Sequence, residues 1–300
     1  MRTVYLGTSE FAVTVLRRLA ASLHKPSLVV TPPDRPKGRG RRTASPPVAE
    51  AARELGIELL QAGSVNDEST LERIRAAQPE LAVVCAFGQL LREPLLSELP
   101  MLNVHPSLLP RWRGAAPIER AIMAGDRLTG VCVMEVTAGL DSGPVASREE
   151  VAIGPEDDFE SLSERLAERG AQLLVGALDL RAEGRLELEE QDDAAATYAE
   201  KIDPAERCLD PSRPAAELAR TVRALTPHVG AFLETAEGRL GVRRARAVDV
   251  GVKAGVLKAE WGALLLGCGR GTLRLDVVQP PGGKPMAADA YLRGHSVPKL

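Results

Sequence analysis

Aromatic residues make up only 3% of the 300 residues, so Leu, Val, Ile and Ala must fill the interior. Cysteine is also scarce. Cys85, Cys132, Cys208 and Cys268 stand far apart, with no Cys-x-x-Cys pair and no histidine beside them. That spacing argues against a zinc site or a small disulfide framework and fits a reducing cytoplasm. No apolar run approaches the ~18 residues of a membrane span, and Met1-Arg2 leads straight into a strand-like stretch, so secretion and membrane insertion are not expected. A Gly-x-Gly-x-x-Gly fingerprint is missing, and no acidic residue closes a second strand to hold a ribose, which argues against a dehydrogenase.

What is present is ordinary globular material, 44% hydrophobic and 26% charged. The net charge of −3 hides an asymmetry: residues 1–200 carry 22 basic and 31 acidic side chains, residues 201–300 carry 16 and 10. A C-terminal third at +6 on an acidic chain suits a polyanionic partner, although an uneven surface charge without purpose has the same signature.

Thr3 to Gly7 reads as a buried strand and Phe11 to Ala21 as a helix. Strands follow at Leu28–Thr31, Leu81–Ala86 and Met101–Val104, with helices at Pro46–Leu55 and Leu71–Ala77. Such alternation predicts a mostly parallel sheet covered by helices on both faces. Two more strands are expected at Gly130–Val136 and Val145–Val151, joined through Asp141-Ser142-Gly143, and then a long helix over Glu160–Ala182. After about residue 200 the texture changes to a helix at Pro214–Leu225 and short glycine-broken β runs from Gly230 onward, the pattern of a small closed or partly open barrel. The expected division is a domain over 1–202, a proline-bearing linker over 203–213 and a second domain over 214–300.

Three segments carry candidate chemistry. Gly7-Thr8-Ser9-Glu10-Phe11 is a tight strand-to-helix turn beside a cleft. Asp34 to Arg42 packs five cations (Arg35, Lys37, Arg39, Arg41 and Arg42) among two glycines and a proline, and is read as a loop that moulds to nucleic-acid phosphate; a solvated charged loop is the plain alternative. Strongest is Asn103-Val104-His105-Pro106-Ser107, with Asp141 further on. Alternate residues of a strand share a side, so Asn103 and His105 project together. An amide donor beside an imidazole suits a reaction passing through an oxyanion, and a carboxylate at Asp141 can orient the imidazole. Each residue alone is equally well explained as structural. No nucleophile elbow surrounds Ser107, which favours direct transfer between two substrates.

These residues also carry a resemblance. Asn103-x-His105 followed by Ser107-Leu108-Leu109-Pro110, with the later Asp141, is similar to the signature of the folate-dependent formyltransferases. Arg111-Trp112-Arg113-Gly114-Ala115-Ala116-Pro117-Ile118 resembles the branch of that family that formylates methionyl-tRNA. So do Gly7–Val13, Asp34–Arg41, Ala196–Ile202 and Gln279–Met286. The blocks keep their order from residue 1 to about 294. At Pro106 that branch more often carries Gly or Ala, and at His228 it often shows Trp.

The resemblance implies a Rossmann-like N-terminal formyltransferase domain and a small C-terminal β-barrel of the OB-like type. The implied activity is transfer of a formyl group from 10-formyltetrahydrofolate to the α-amino group of methionyl initiator tRNA. It makes Asn103, His105 and Asp141 the catalytic trio and has Ser107, Leu108, Leu109 and Pro110 line the folate site. It brings the basic loop of Arg35, Lys37, Arg39, Arg41 and Arg42 near the acceptor stem, gives the tRNA body to the C-terminal domain, and requires no metal. A cytoplasmic monomer is the default expectation. Competing readings are a formyltransferase for a sugar nucleotide or other small amine, a tRNA-binding protein that has lost catalysis, and a formyl-folate hydrolase. His24 and His295 lie outside every motif and are read as surface residues, and His228 as a packing histidine.

Overall fold

The computed structural model describes residues 1–37, 42–260 and 262–300, with the backbone alone at Lys37, Arg42 and Thr43. In chain order the elements begin with β1 (Thr3–Gly7), α1 (Glu10–Ala20), β2 (Pro26–Thr31), β3 (Arg35–Lys37), β4 (Arg42–Ala44) and α2 (Pro47–Glu54). They continue with β5 (Glu58–Gln61), α3 (Glu68–Ala76), β6 (Leu81–Cys85), α4 (Leu95–Glu98), β7 (Met101–His105), β8 (Arg113–Gly114) and α5 (Pro117–Ala124). Then come β9 (Leu128–Glu135), β10 (Val145–Ala152), α6 (Phe159–Ala182), β11 (Tyr198–Ala199) and α7 (Ala215–Leu225). The chain ends with β12 (Ala231–Thr235), β13 (Gly238–Val248), β14 (Leu257–Glu260), β15 (Ala263–Gly267), β16 (Thr272–Gln279), β17 (Met286–Ala287) and α8 (Ala288–Gly294).

Two units emerge that are not contiguous in sequence. The first holds Met1–Gly114, Thr129–Ala152 and Ser163–Tyr198; the second holds Ala115–Leu128, Ile153–Leu162 and Ala199–Leu300. A seven-stranded sheet of order β10-β9-β7-β6-β1-β2-β5 organises the first. From β5 to β7 every pairing is parallel, and β7 meets β9 antiparallel, with His105 opposite Cys132. β1 and β6 are buried along their whole length, as strands covered on both faces must be, which explains their uninterrupted apolar runs. On one face Leu6, Val30, Val84, Leu71 and Ile74 share a cluster.

In the second unit a six-stranded sheet runs β12-β13-β16-β15-β14, with β17 on β16, and each of its pairings is antiparallel. α7 packs on it through Ala215, Leu218, Ala219, Val222 and Leu225, the i, i+3, i+4, i+7, i+10 spacing of one helical stripe. Segment 203–213 is partly ordered by its own hydrogen bonds. Asp203 and Glu206 form a reciprocal capping box around the 3-10 turn Pro204–Arg207. In the same unit Arg120 pairs with Glu206 at 2.5 Å and donates to the Glu200 carbonyl. His228 stacks on Phe159 with ring centres 3.7 Å apart and meets Glu119 at 2.9 Å, so it does pack.

Two expectations need correction. His24 is buried, not superficial: its Nε2 meets Asp179 at 2.9 Å and its Nδ1 the Met1 amine at 3.1 Å, partners that no local pattern announces. The basic stretch is not a plain loop either. β3 and β4 pair antiparallel, Arg35 opposite Ala44 and Lys37 opposite Arg42, so its flanks are hairpin arms. Arg39 and Arg41 lie outside the described residues. Among the described residues no helix is long and apolar enough to cross a membrane.

Candidate active site

In a parallel sheet the carboxyl ends of all strands open on one edge, and the crevice lies where the strand order reverses. Here that point falls between β1 and β6, with β7 beside them. Thr8, just after β1, donates its hydroxyl to the Phe87 carbonyl at 2.9 Å and so ties the two loops together. The loop after β6 turns through Ala86 at φ 45° and Gly88 at φ 74°. β7 delivers Asn103 and His105 to the same edge, since they sit two residues apart on one side of the strand.

His105 is buried, and its two nitrogens are differentiated. Nε2 lies 2.9 Å from the Trp112 carbonyl oxygen. A carbonyl only accepts, so Nε2 carries a proton and the exchangeable position is Nδ1. Nδ1 faces Oδ2 of Asp141 at 3.7 Å, beyond ordinary hydrogen-bond reach, so a proton on Nδ1 stays available to a third group. Oδ2 of Asp141 is itself fixed by the Gly114 N–H at 2.8 Å. Asn103 is half-buried, and among the described residues its side-chain amide has no hydrogen-bond partner.

The backbone around these groups is unusual. Trp112 and Asp141 both adopt left-handed backbone, at φ 63° and 46°, which side-chain-bearing residues rarely enter without support. Trp112 is supported by Thr197, whose Oγ1 accepts its N–H at 2.9 Å and whose carbonyl accepts from Arg113 at 2.9 Å. Asp141 is supported by Gln191, whose amide donates to the carbonyls of Asp141 and Gly143 at 2.9 and 2.7 Å. The Gln191 carbonyl in turn accepts two bonds from the buried Arg113 guanidinium, at 3.0 and 2.9 Å. Gly143 completes the turn because a Cβ there would collide with the Glu135 carbonyl oxygen.

Ser107 and Leu109, expected to line a ligand site, turn their side chains inward. Ser107 is fully buried with its hydroxyl on the Arg111 carbonyl at 2.7 Å, and Leu109 packs with Cys132, Met134 and Val145. Leu108 and Pro110 are partly exposed. Arg35 is exposed on β3; Lys37 and Arg42 are described as backbone only. Gln191 and the turn at Ala86–Gly88 escaped sequence reasoning, Gln191 because its partners are 78 and 50 residues away.

Nucleophilic thiol chemistry is disfavoured near the imidazole. Burial pushes the Cys132 thiol up to about 11 and Cys85 up to about 12, so neither presents a thiolate near neutral pH. Among the described residues no group of three or more His, Cys, Asp or Glu is placed to hold a metal ion. The arrangement offers an unengaged amide donor, an imidazole with one proton site open, and a carboxylate beside it. That set can stabilise negative charge on an oxygen and move a proton.

Comparison with known proteins gives a consistent result. Residues 1–178 match the family model described as formyl transferase, and residues 201–296 the one described as formyl transferase, C-terminal domain. A methionyl-tRNA formyltransferase of Methylobacillus flagellatus is 43% identical over 298 residues, covering 98% of this chain and 97% of its own. One from Methylococcus capsulatus is 45% identical over 302 residues, covering 99% and 98%. Among solved structures, HypX from Aquifex aeolicus in complex with tetrahydrofolic acid superposes with a TM-score of 0.67 at 17% identity, a likeness of fold. That alignment covers 97% of this chain, which spans 47% of the HypX chain.

Proposed function

The chain belongs to the formyl transferase family, and we propose that it transfers the formyl group of 10-formyltetrahydrofolate to the α-amino group of methionyl initiator tRNA. The observation that carries the chemistry is the grouping at the end of β7, where an unpartnered Asn103 amide stands beside an imidazole whose open nitrogen faces Asp141 at 3.7 Å. The amine nitrogen attacks the formyl carbon, and the carbonyl electron pair moves onto oxygen. Asn103 and His105, protonated on Nδ1, donate to that oxyanion; one such donor is worth ~3–4 kcal/mol in the transition state. Asp141 balances the imidazolium charge and accepts the proton lost by the amine. The C–N bond to the folate then breaks, and the proton passes to the departing nitrogen.

For the folate we propose the crevice at the carboxyl ends of β1, β6 and β7. Ser107, Leu108, Leu109 and Pro110 would hold it chiefly through backbone groups, since Ser107 and Leu109 face inward. The names of the full-length relatives support methionyl-tRNA as acceptor. The surplus of six positive charges over residues 201–300 supports the C-terminal region as its seat. Within this reading residues 1–202 perform transfer, 214–300 hold the tRNA, and 203–213 connect them. Arg35, Lys37, Arg39, Arg41 and Arg42 reach toward the acceptor stem. We place the enzyme in the cytoplasm as a monomer, in keeping with its four free thiols.

The test is a transfer assay with 10-formyltetrahydrofolate and charged methionyl initiator tRNA, run beside uncharged tRNA, free methionine and an aminosugar nucleotide. Formylation of the charged tRNA alone is the expected result. Transfer to the aminosugar nucleotide in its place would overturn the assignment of the acceptor.

A further inference from the structure

Three arginines of the second unit, Arg127, Arg220 and Arg223, line one cavity of about 370 Å³. Arg220 and Arg223 are three residues apart on α7 and so share a face of the helix; Arg127 comes from the segment after α5. Ile122 and Ile153 give the cavity apolar wall. At Gly125 the absence of a side chain lets Arg220 lie close, for a Cβ there would sit 3.0 Å from its Nε.

Both helix arginines are anchored without being neutralised. Arg220 donates Nε to the Met123 carbonyl at 3.1 Å, and Arg223 donates Nη1 to the Asp157 carbonyl. Among the described residues none of the three cavity arginines forms an ion pair. Elsewhere in the same unit Arg120, Arg213, Arg239 and Arg293 each hold a carboxylate. Asp126 is the one carboxylate among the lining residues, against three arginines, while Glu156, Asp157 and Asp158 act on Arg223 from outside the lining. Burial, and then the charge of Arg220, press the Arg223 guanidinium below its ordinary value, against the pull of Glu156, Asp157 and Asp158. An added anion would offset the charge of Arg220.

We propose that this cavity is a binding site for a phosphate group. Planar guanidiniums with free N–H pairs match phosphate oxygens in a bidentate way, and their fixed backbone anchors reduce the ordering cost. The volume lies at the lower end of small-ligand sites, enough for a phosphate with part of a sugar. Resting on the function proposed above, the occupant is a backbone phosphodiester of the tRNA; a free phosphate or mononucleotide has the same chemistry.

Two measurements separate these sources. The first is the thermal midpoint of the whole protein in inorganic phosphate against sodium chloride of equal ionic strength. At about five times its dissociation constant phosphate should raise the midpoint by about 2–4 °C. That rise should vanish in Arg220→Gln/Arg223→Gln, and shrink in Arg127→Gln, which removes an exposed side chain and leaves both backbone anchors intact. The second is the salt dependence of tRNA binding, whose logarithmic slope should fall by about 1 in Arg127→Gln.

Loss of the phosphate effect together with the lower slope supports the site with tRNA as the source. Loss of the phosphate effect at an unchanged slope supports the site with a small anion as its ligand. Phosphate stabilisation that persists in both variants overturns the proposal, as does its absence from the wild type at an unchanged slope. Should the protein not bind tRNA at all, the function proposed above fails while the phosphate measurement still decides the cavity.

Discussion

Gln191→Glu isolates the support of Asp141 from the stability of the fold. Glutamate keeps the acceptor that Arg113 uses through Nε and Nη2, and the pair becomes charge-assisted. It cannot donate to the carbonyls of Asp141 and Gly143, which receive bonds of 2.9 and 2.7 Å from the native amide. Two neutral hydrogen bonds contribute ~1–3 kcal/mol together, comparable with the ~1–3 kcal/mol of holding a non-glycine residue in left-handed backbone. Released, Asp141 leaves φ 46° and its carboxylate drifts from His105. A shift of ~1–3 kcal/mol lowers the population of the working geometry about 5- to 150-fold. Single-turnover formyl transfer should fall by that factor, with the folate KM and the urea midpoint close to wild type. Gln191→Ala should lose turnover and also ~1.5–3 kcal/mol of stability, because Nε of the buried Arg113 then loses its acceptor while Asp193 still holds Nη2. Wild-type turnover in Gln191→Glu would refute the role of these bonds in positioning Asp141.

Other outcomes are equally direct. His105→Ala and Asp141→Asn should each lower turnover at least ~100-fold with tRNA affinity unchanged, checked by steady-state transfer and filter binding. Under native conditions at pH 8 an alkylating reagent should modify Cys208 first, because it is exposed, whereas burial holds Cys85 and Cys132 protonated up to about 12 and about 11; mass spectrometry reads the order. Arg120 holds the Glu206 carboxyl below the usual glutamate range, so its stabilising effect is full above that range and is lost as pH falls from there through the lowered value. The stability gap between wild type and Glu206→Gln in urea should therefore close below about pH 4. Changing Arg39, Arg41 and Arg42 together to Ala should lower the salt slope of tRNA binding, and an unchanged slope would make that stretch ordinary surface.

The legible parts of this fold are those whose signal is local. β1 and β6 are apolar throughout because both faces are covered, and α7 repeats its apolar stripe, so all three were expected close to their observed limits. α5 carries a local signal too, with Pro117 at its first turn and Ile118, Ala121 and Ile122 on one face, a start and a stripe outside the expected elements. β5, only four residues long and half-buried at the sheet edge, carries no alternation to find. The hairpin arms β3 and β4 are made of cations, Pro and Thr, so composition spoke for a loop while cross-strand pairing decided otherwise.

The same distinction divides the site. Asn103 and His105 share a side because a strand has a period of two, and any strand that runs from Met101 through His105 brings them together. The state of His105 is set at short range too, since Trp112 is seven residues away and its carbonyl leaves Nδ1 as the open nitrogen. Asp141 differs. Its place opposite Nδ1 depends on Gly114 for its carboxylate and on Gln191 for its backbone, and Gln191 depends on Arg113. Those links span 27, 50 and 78 residues, and no periodicity encodes them. Sequence can therefore nominate a carboxylate at a turn, but whether that carboxylate faces an imidazole is decided by an amide and a guanidinium with no motif of their own. Variants that spare the trio and remove its support, Gln191→Glu foremost, measure how much of the activity resides in that arrangement.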